Sequence, residues 1–174
     1  MPNYSGSWNL VQQMQAVAAS NWPVVLAPGT VGIFALGTTG SASTTRDKYT
    51  FSGCVVSSAT AASAASRSGA AAGNATVGIF ALGYVGCGGT TTRNKYTYSG
   101  CVNASATAAS AASRLGSAAG NSTVGIFALG LAPSASTTRD KYTYSGCVVS
   151  SGAAASAASY AGSAASNGTC GVNV

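Results

Sequence analysis

Histidine and glutamate are absent from this chain, and its only acids are Asp47 and Asp140. General acid–base chemistry runs mostly on histidine or paired carboxylates, so the common hydrolytic sites have nothing to be built from. A metal centre is disfavoured on the same ground, and no Cys-x-x-Cys spacing offers a zinc site. The glycines at 86–89 lack the Gly-Lys-Ser/Thr ending of a phosphate-cradling loop. The residues predict no enzyme, no cofactor and no metal. Asp47 and Asp140 read instead as turn residues or as local partners of the adjacent Arg and Lys.

Charge of either sign is scarce, at 6% of 174 residues, and the net charge is +6. Every Lys and Arg lies inside a repeated pattern: Arg46 with Lys48, Arg93 with Lys95, Arg139 with Lys141, then Arg67 and Arg114. They never form a run and no basic–aromatic stripe appears. Rim charges and structural hydrogen bonds account for them better than nucleic acid does. Long apolar runs are also missing; nothing reaches the ~18 residues of a membrane helix. The N-terminus lacks a basic opening, and Gln12, Gln13 and Gln15 break its apolar stretch, so it does not read as a secretory signal.

What the chain has is repetition. "GIFALG" begins at Gly32, Gly78 and Gly125, and "KYT" at Lys48, Lys95 and Lys141, so the period is 46–47 residues. Cys54, Cys101 and Cys147 share one repeat position. The C-terminal "NGTCGVNV" aligns with "NSTVGIFA" from Asn121, which puts Cys170 in the place of Val124. Three units follow, at 21–66, 67–113 and 114–159, with a partial fourth at 160–174. A fixed period of this length marks a solenoid, a propeller or an array. A fourth unit begun and left short is expected to be completed by a neighbouring subunit or by the chain's other end.

Within a unit, "TVGIFALG" and "KYTYSG" read as strands, rich in β-branched and aromatic residues and bounded by glycine. "GN" and the "SG" before each repeated cysteine are turn signals. The run "SATAASAAS" is ambiguous. Extended strand is the preferred reading; a short helix is the alternative, because alanine favours helix while Ser and Thr compete for backbone bonds. Alanine buries little apolar surface at roughly 25 cal/mol per Å². Dense backbone hydrogen bonding, oligomerisation or cross-links are expected to make up the difference.

The order of motifs resembles the kelch-like repeat: an arginine, a small-residue strand, a hydrophobic strand ending in glycine, then an aromatic strand. The resemblance covers 21–174. It departs in two ways. The glycine doublet is a single Gly37, Gly83 or Gly130, and the late tryptophan is absent. The resemblance implies an all-β fold of three and a third antiparallel, propeller-blade-like repeats. A β-solenoid and a β-prism remain open. Roughly four blades are the lower limit of a closed ring, so closure is expected to need another chain.

Residues 1–20 stand outside the repeat. Leu10, Val11, Met14, Val17 and Ala18 share one helical face, with Ser7 to cap it and Asn21-Trp22-Pro23 to stop it, which predicts a short helical arm. That face packs on its own domain or docks on a partner; both readings stand. "NYSGSW" and "NWP" make this segment similar to the N-termini of tailed-bacteriophage structural proteins of tail or fibre type. The resemblance implies an attachment module with Tyr4, Trp8, Gln13 and Trp22 as anchor positions. It further implies a virion structural protein, assembled in the host cytoplasm and released by lysis, as an oligomeric tail-fibre or tail-tip component. Other virion proteins would be its partners. A capsid decoration protein and a glycan-binding receptor module are the alternatives. For the latter, Tyr49, Tyr96, Tyr98, Tyr142 and Tyr144 could stack sugars, yet their alternation favours core packing.

The five cysteines, Cys54, Cys87, Cys101, Cys147 and Cys170, cannot all pair within one chain. They are either small buried thiols or disulfides formed after release. Asn3, Asn74, Asn103, Asn121 and Asn167 lie in glycosylation-type triplets, here expected to be turn and edge residues.

Overall fold

The structure is a computed structural model, and it describes residues 30–35, 37–52, 55–100, 102–145, 149–166 and 171–173. These residues form strands and connections, with no helix among them. The first repeat holds β1 (Val31–Ala35), β2 (Thr38–Thr39), β3 (Ser41–Ala42), β4 (Arg46–Thr50) and β5 (Val55–Ser58). The second holds β6 (Ala70–Gly73), β7 (Val77–Ala81), β8 (Tyr84–Val85), β9 (Gly88–Gly89), β10 (Arg93–Thr97) and β11 (Asn103–Ala106). The third repeats that order as β12 (Ser117–Gly120), β13 (Val124–Ala128), β14 (Leu131–Ala132), β15 (Ser134–Ala135), β16 (Arg139–Thr143) and β17 (Val149–Ser151). β18 (Ala164–Ser166) and β19 (Gly171–Asn173) begin the fourth.

Each full repeat is an antiparallel meander with a small hairpin set into its middle connection. The order is β6-β7-β10-β11 in the second repeat and β12-β13-β16-β17 in the third, with β1-β4-β5 described in the first. Register is the same in every copy. Phe34 faces Asp47, Phe80 faces Asn94, and Phe127 faces Asp140. Identical sequence fixes identical pairing, because a one-residue slip would turn each apolar set to the other face.

Glycine shapes the strands through space. A Cβ at Gly78 or Gly125 would come within 3.0 or 2.9 Å of the Tyr98 or Tyr144 hydroxyl. Bare backbone there lets the later tyrosine lie across the hydrophobic strand. The first repeat has Phe51 over Gly32 in the same way, at 3.1 Å. Gly83 and Gly130 close the hydrophobic strands with φ of 73° and 71°, where glycine alone is unstrained.

Repeats meet through their first strands. β6 packs on β12 and β13, and β12 on β18 and β19. One core joins Ile79 of the second repeat to Phe127, Tyr142 and Tyr144 of the third, with Ala70, Ala72, Ala81, Ala106, Ala118 and Val149 against it. Alanine-rich strands therefore accept the next repeat's rings, and tryptophan is not needed at this contact. Backbone bonds tie the column together: Leu115 N–H donates to Ser68 C=O at 3.0 Å, and Ala161 N–H to Leu115 C=O at 2.8 Å. These three residues hold φ of 54–55°, a left-handed conformation costing roughly 1–2 kcal/mol per non-glycine residue. Its recurrence at one repeat position coincides with these inter-repeat bonds.

The alanine–serine run is neither helix nor continuous strand. β5 ends at Ser58 and β11 at Ala106, after which the chain runs irregularly. Spaced backbone bonds hold it: Ala62 N–H to Thr44 C=O, Ala109 N–H to Thr91 C=O, and Ala155 N–H to Thr137 C=O, each 2.8–2.9 Å. These bonds to threonines earlier in the same repeat, not local propensity, set its path. The expected N-terminal helical arm lies outside the described residues.

Candidate functional site

The junction between repeats is the most specific chemistry on the molecule. Arg46 and Arg93, expected as rim charges and in structural hydrogen bonds, are not at a rim, being each only 2% exposed, but do donate to backbone carbonyls, Arg46 to Thr45 and Arg93 to Thr91 and Thr92. Arg46 Cζ lies 5.6 Å from the centroid of Phe80 in the next repeat. Arg93 Cζ lies 5.5 Å from Phe127 and 5.8 Å from Tyr142. Those rings pair edge to face, Phe80 with Tyr96 and Phe127 with Tyr142, both at 5.2 Å. Such cation–ring contacts contribute about 0.5–2 kcal/mol each, more when dry. Burial lowers both arginine pKa values, with nearby tyrosines offsetting part of the shift. The first repeat pairs Phe34 with Tyr49 at 5.0 Å, but among the described residues no arginine lies over them, and Phe34 is 51% exposed against 1% for Phe127.

A polar clamp accompanies each stack. Asp140 accepts from Ser110 N–H at 2.9 Å and Ser110 Oγ at 2.6 Å, across to the preceding repeat. Asn94 takes Ser63 likewise, accepting from its N–H at 3.1 Å and donating from Nδ2 to its Oγ at 2.9 Å. Asp140 is thus a buried strand residue gripping a serine 30 positions upstream, and not a turn residue. Tyr142 adds a third tie, donating to Thr107 C=O at 3.1 Å. Asn74 and Asn121 do form turns: each Oδ1 accepts from backbone N–H groups two and three residues on.

Of the repeat tyrosines, Tyr96, Tyr142 and Tyr144 are core residues and Tyr49 and Tyr98 are half-buried. Tyr96 and Tyr142 are 0% exposed and Tyr144 2%. Burial pushes the Tyr144 phenol up to about 12, with Tyr98 adding to it. Burial does the same for Tyr142, also to about 12, with Arg93 pulling it down and Asp140 pushing it up. Below the ordinary value of 10.0 both phenols are neutral, folded or unfolded. Above it the unfolded chain ionises them first, so folding stability falls progressively as pH rises towards 12. Urea midpoints taken across that interval are expected to drop, and phenolate absorbance for these two rings is expected to appear only with unfolding.

Between the second and third repeats, Tyr84 carries two guanidiniums. Arg67 Cζ is 4.3 Å from its ring centroid and Arg114 Cζ 5.4 Å. Arg67 is locked by a reciprocal pair of backbone bonds with Tyr84, and Arg114 by an equivalent pair with Leu131. A separate open cleft of about 330 Å³ lies between the second and third repeats, lined by Asn74, Thr76, Lys95, Ser122, Thr123 and Tyr144 among others. Repeat alignment marks Arg67 and Arg114 as one position, but Tyr84 belongs to the variable hairpin and gave no signal.

Cys87 is exposed in the β8–β9 turn and is a free thiol, so the buried-thiol reading fails there. Cys54, Cys101, Cys147 and Cys170 lie outside the described residues, as do Tyr4, Trp8, Gln13 and Trp22. Among the described residues no group of three His, Cys, Asp or Glu side chains is placed to hold a metal. No helix among them is long and apolar enough to cross a membrane. No protein-family model and no curated protein sequence matches this chain.

Proposed function

We propose that this protein is a bacteriophage virion structural component, an oligomeric tail-fibre or tail-tip protein that attaches through its N-terminal segment. The observation that carries the reading is the repeated junction: the same arginine stack and the same Asp/Asn–Ser clamp recur between successive meanders. Buried chemistry is spent on stacking repeats, which is what a scaffold needs. The meander order and the first-strand contacts also suit kelch-like blades arranged around an axis. The "NYSGSW" and "NWP" motifs supply the attachment half of the proposal. The protein works without catalysis or cofactor, and other virion proteins are its partners.

Quantitative mass spectrometry of purified particles tests it. The protein is expected in intact particles, in step with tail components; its absence from particles sinks the reading. Copy number in step with the major capsid protein would replace it with a decoration role. Native mass measurement of the isolated protein is expected to give an oligomer, and a monomer would refute that part. A second reading, glycan binding, is favoured by the hydroxyl-rich cleft beside Lys95 and would show as saturable binding on a glycan array.

A further inference from the structure

We infer that Arg67, Tyr84 and Arg114 form a binding site for the phosphate group of a ligand. Both guanidiniums lie on one ring, so they can be no further apart than their two ring distances added, 4.3 and 5.4 Å. Two guanidiniums within that range repel one another weakly through water, and an anion between them would turn that repulsion into attraction. No acidic side chain supplies one. The chain contains no glutamate, and of its two aspartates Asp140 is buried on Ser110 while Asp47 lies in β4 opposite Phe34. No hydrogen-bond acceptor for either guanidinium is found among the described residues.

The arrangement also presets the donors. Stacking uses the flat face of a guanidinium and leaves its N–H edges free to point at a planar or tetrahedral oxyanion. Backbone bonds on both sides of Arg67 and Arg114 fix where the side chains start, and the Leu115-to-Ser68 bond ties the two repeats at the next residue. Arg67 is exposed and Arg114 half-buried, so a ligand reaches both. Paired arginine donors suit phosphate, which accepts two parallel N–H bonds from one guanidinium. The site is independent of the virion reading, since it rests only on these three side chains.

Arginine side-chain NMR on the full chain tests it, with orthophosphate titrated against sodium chloride at constant ionic strength. The Nε–Hε signals of Arg67 and Arg114 are expected to move together and saturate, while those of buried Arg46 and Arg93 stay still. Arg67→Gln and Arg114→Gln, both folded by circular dichroism, are each expected to weaken binding by about tenfold or more, as loss of a charged hydrogen bond would. In a parallel arm, phosphatidylcholine vesicles with and without phosphatidylglycerol report on phosphate carried by a surface. Saturation by orthophosphate supports the site with a free anion as ligand. Sedimentation with the anionic vesicles alone, abolished by the double glutamine variant, supports it with a surface-borne phosphate. No response in either arm, or responses unchanged in the variants, overturns the proposal.

Discussion

Gly116→Ala is expected to cost about 3–4 kcal/mol of stability, among the larger effects a single methyl group can have. A Cβ there would stand 2.3 Å from Ala128 C=O and 3.3 Å from Leu129 C=O, both backbone atoms that cannot rotate away. Relief requires β12 to part from β13 at the Ser117–Ala128 pair. That same strand packs against β6 on one side and β18 on the other, so the shift would spread to both neighbouring repeats. Gly69→Ala repeats the experiment one unit earlier, with the Cβ 2.1 Å from Ala81 C=O. Gly88→Ala is the control, since a Cβ there meets nothing within 4 Å, and is expected to stay within about 0.5 kcal/mol. Urea midpoints decide: Gly116→Ala unfolding where the parent does would contradict the strand pairing described.

Asp140 is the second test, and it has an internal standard. Asp140→Ala is expected to cost about 1.5–3 kcal/mol, because Ser110 N–H and Oγ lose a buried, charged acceptor and Arg93 loses an anion that acts on it. Asp140→Asn is expected to cost only about 1 kcal/mol. The reason is that Asn94 already performs this role on Ser63 in the preceding junction. Equal losses from the two substitutions, measured by urea midpoint, would mean that charge and not hydrogen bonding holds the clamp.

The strands were legible because their signals are local. "GIFALG" and "KYT" carry β-forming residues at a strict period, and each copy pairs in the same register. Asn74 and Asn121 were readable as turn residues for the same reason, since their acceptors serve groups two and three residues away. The junction was not. Asp140 reaches Ser110, and Arg93 reaches Phe127, through contacts between repeats that no local window contains. Charge also misled: an arginine stacked between sheets and one at the surface look alike in sequence. The alanine–serine run defeated periodicity altogether, because its bonds to Thr44, Thr91 and Thr137 come from elsewhere in the chain. Tyr84 lies where the repeats differ, so the arginine pair it gathers could not be seen from either arginine alone.

The repeats are tied to one another by backbone hydrogen bonds, and amide hydrogen exchange at Leu115 and Ala161 is the measurement to make. Both residues sit outside any strand, yet their N–H groups donate across repeats to Ser68 and Leu115 carbonyls at 3.0 and 2.8 Å. Both are expected to exchange as slowly as amides within β7 and β13. Exchange at the rate of an open loop, with the strands still protected, would contradict it.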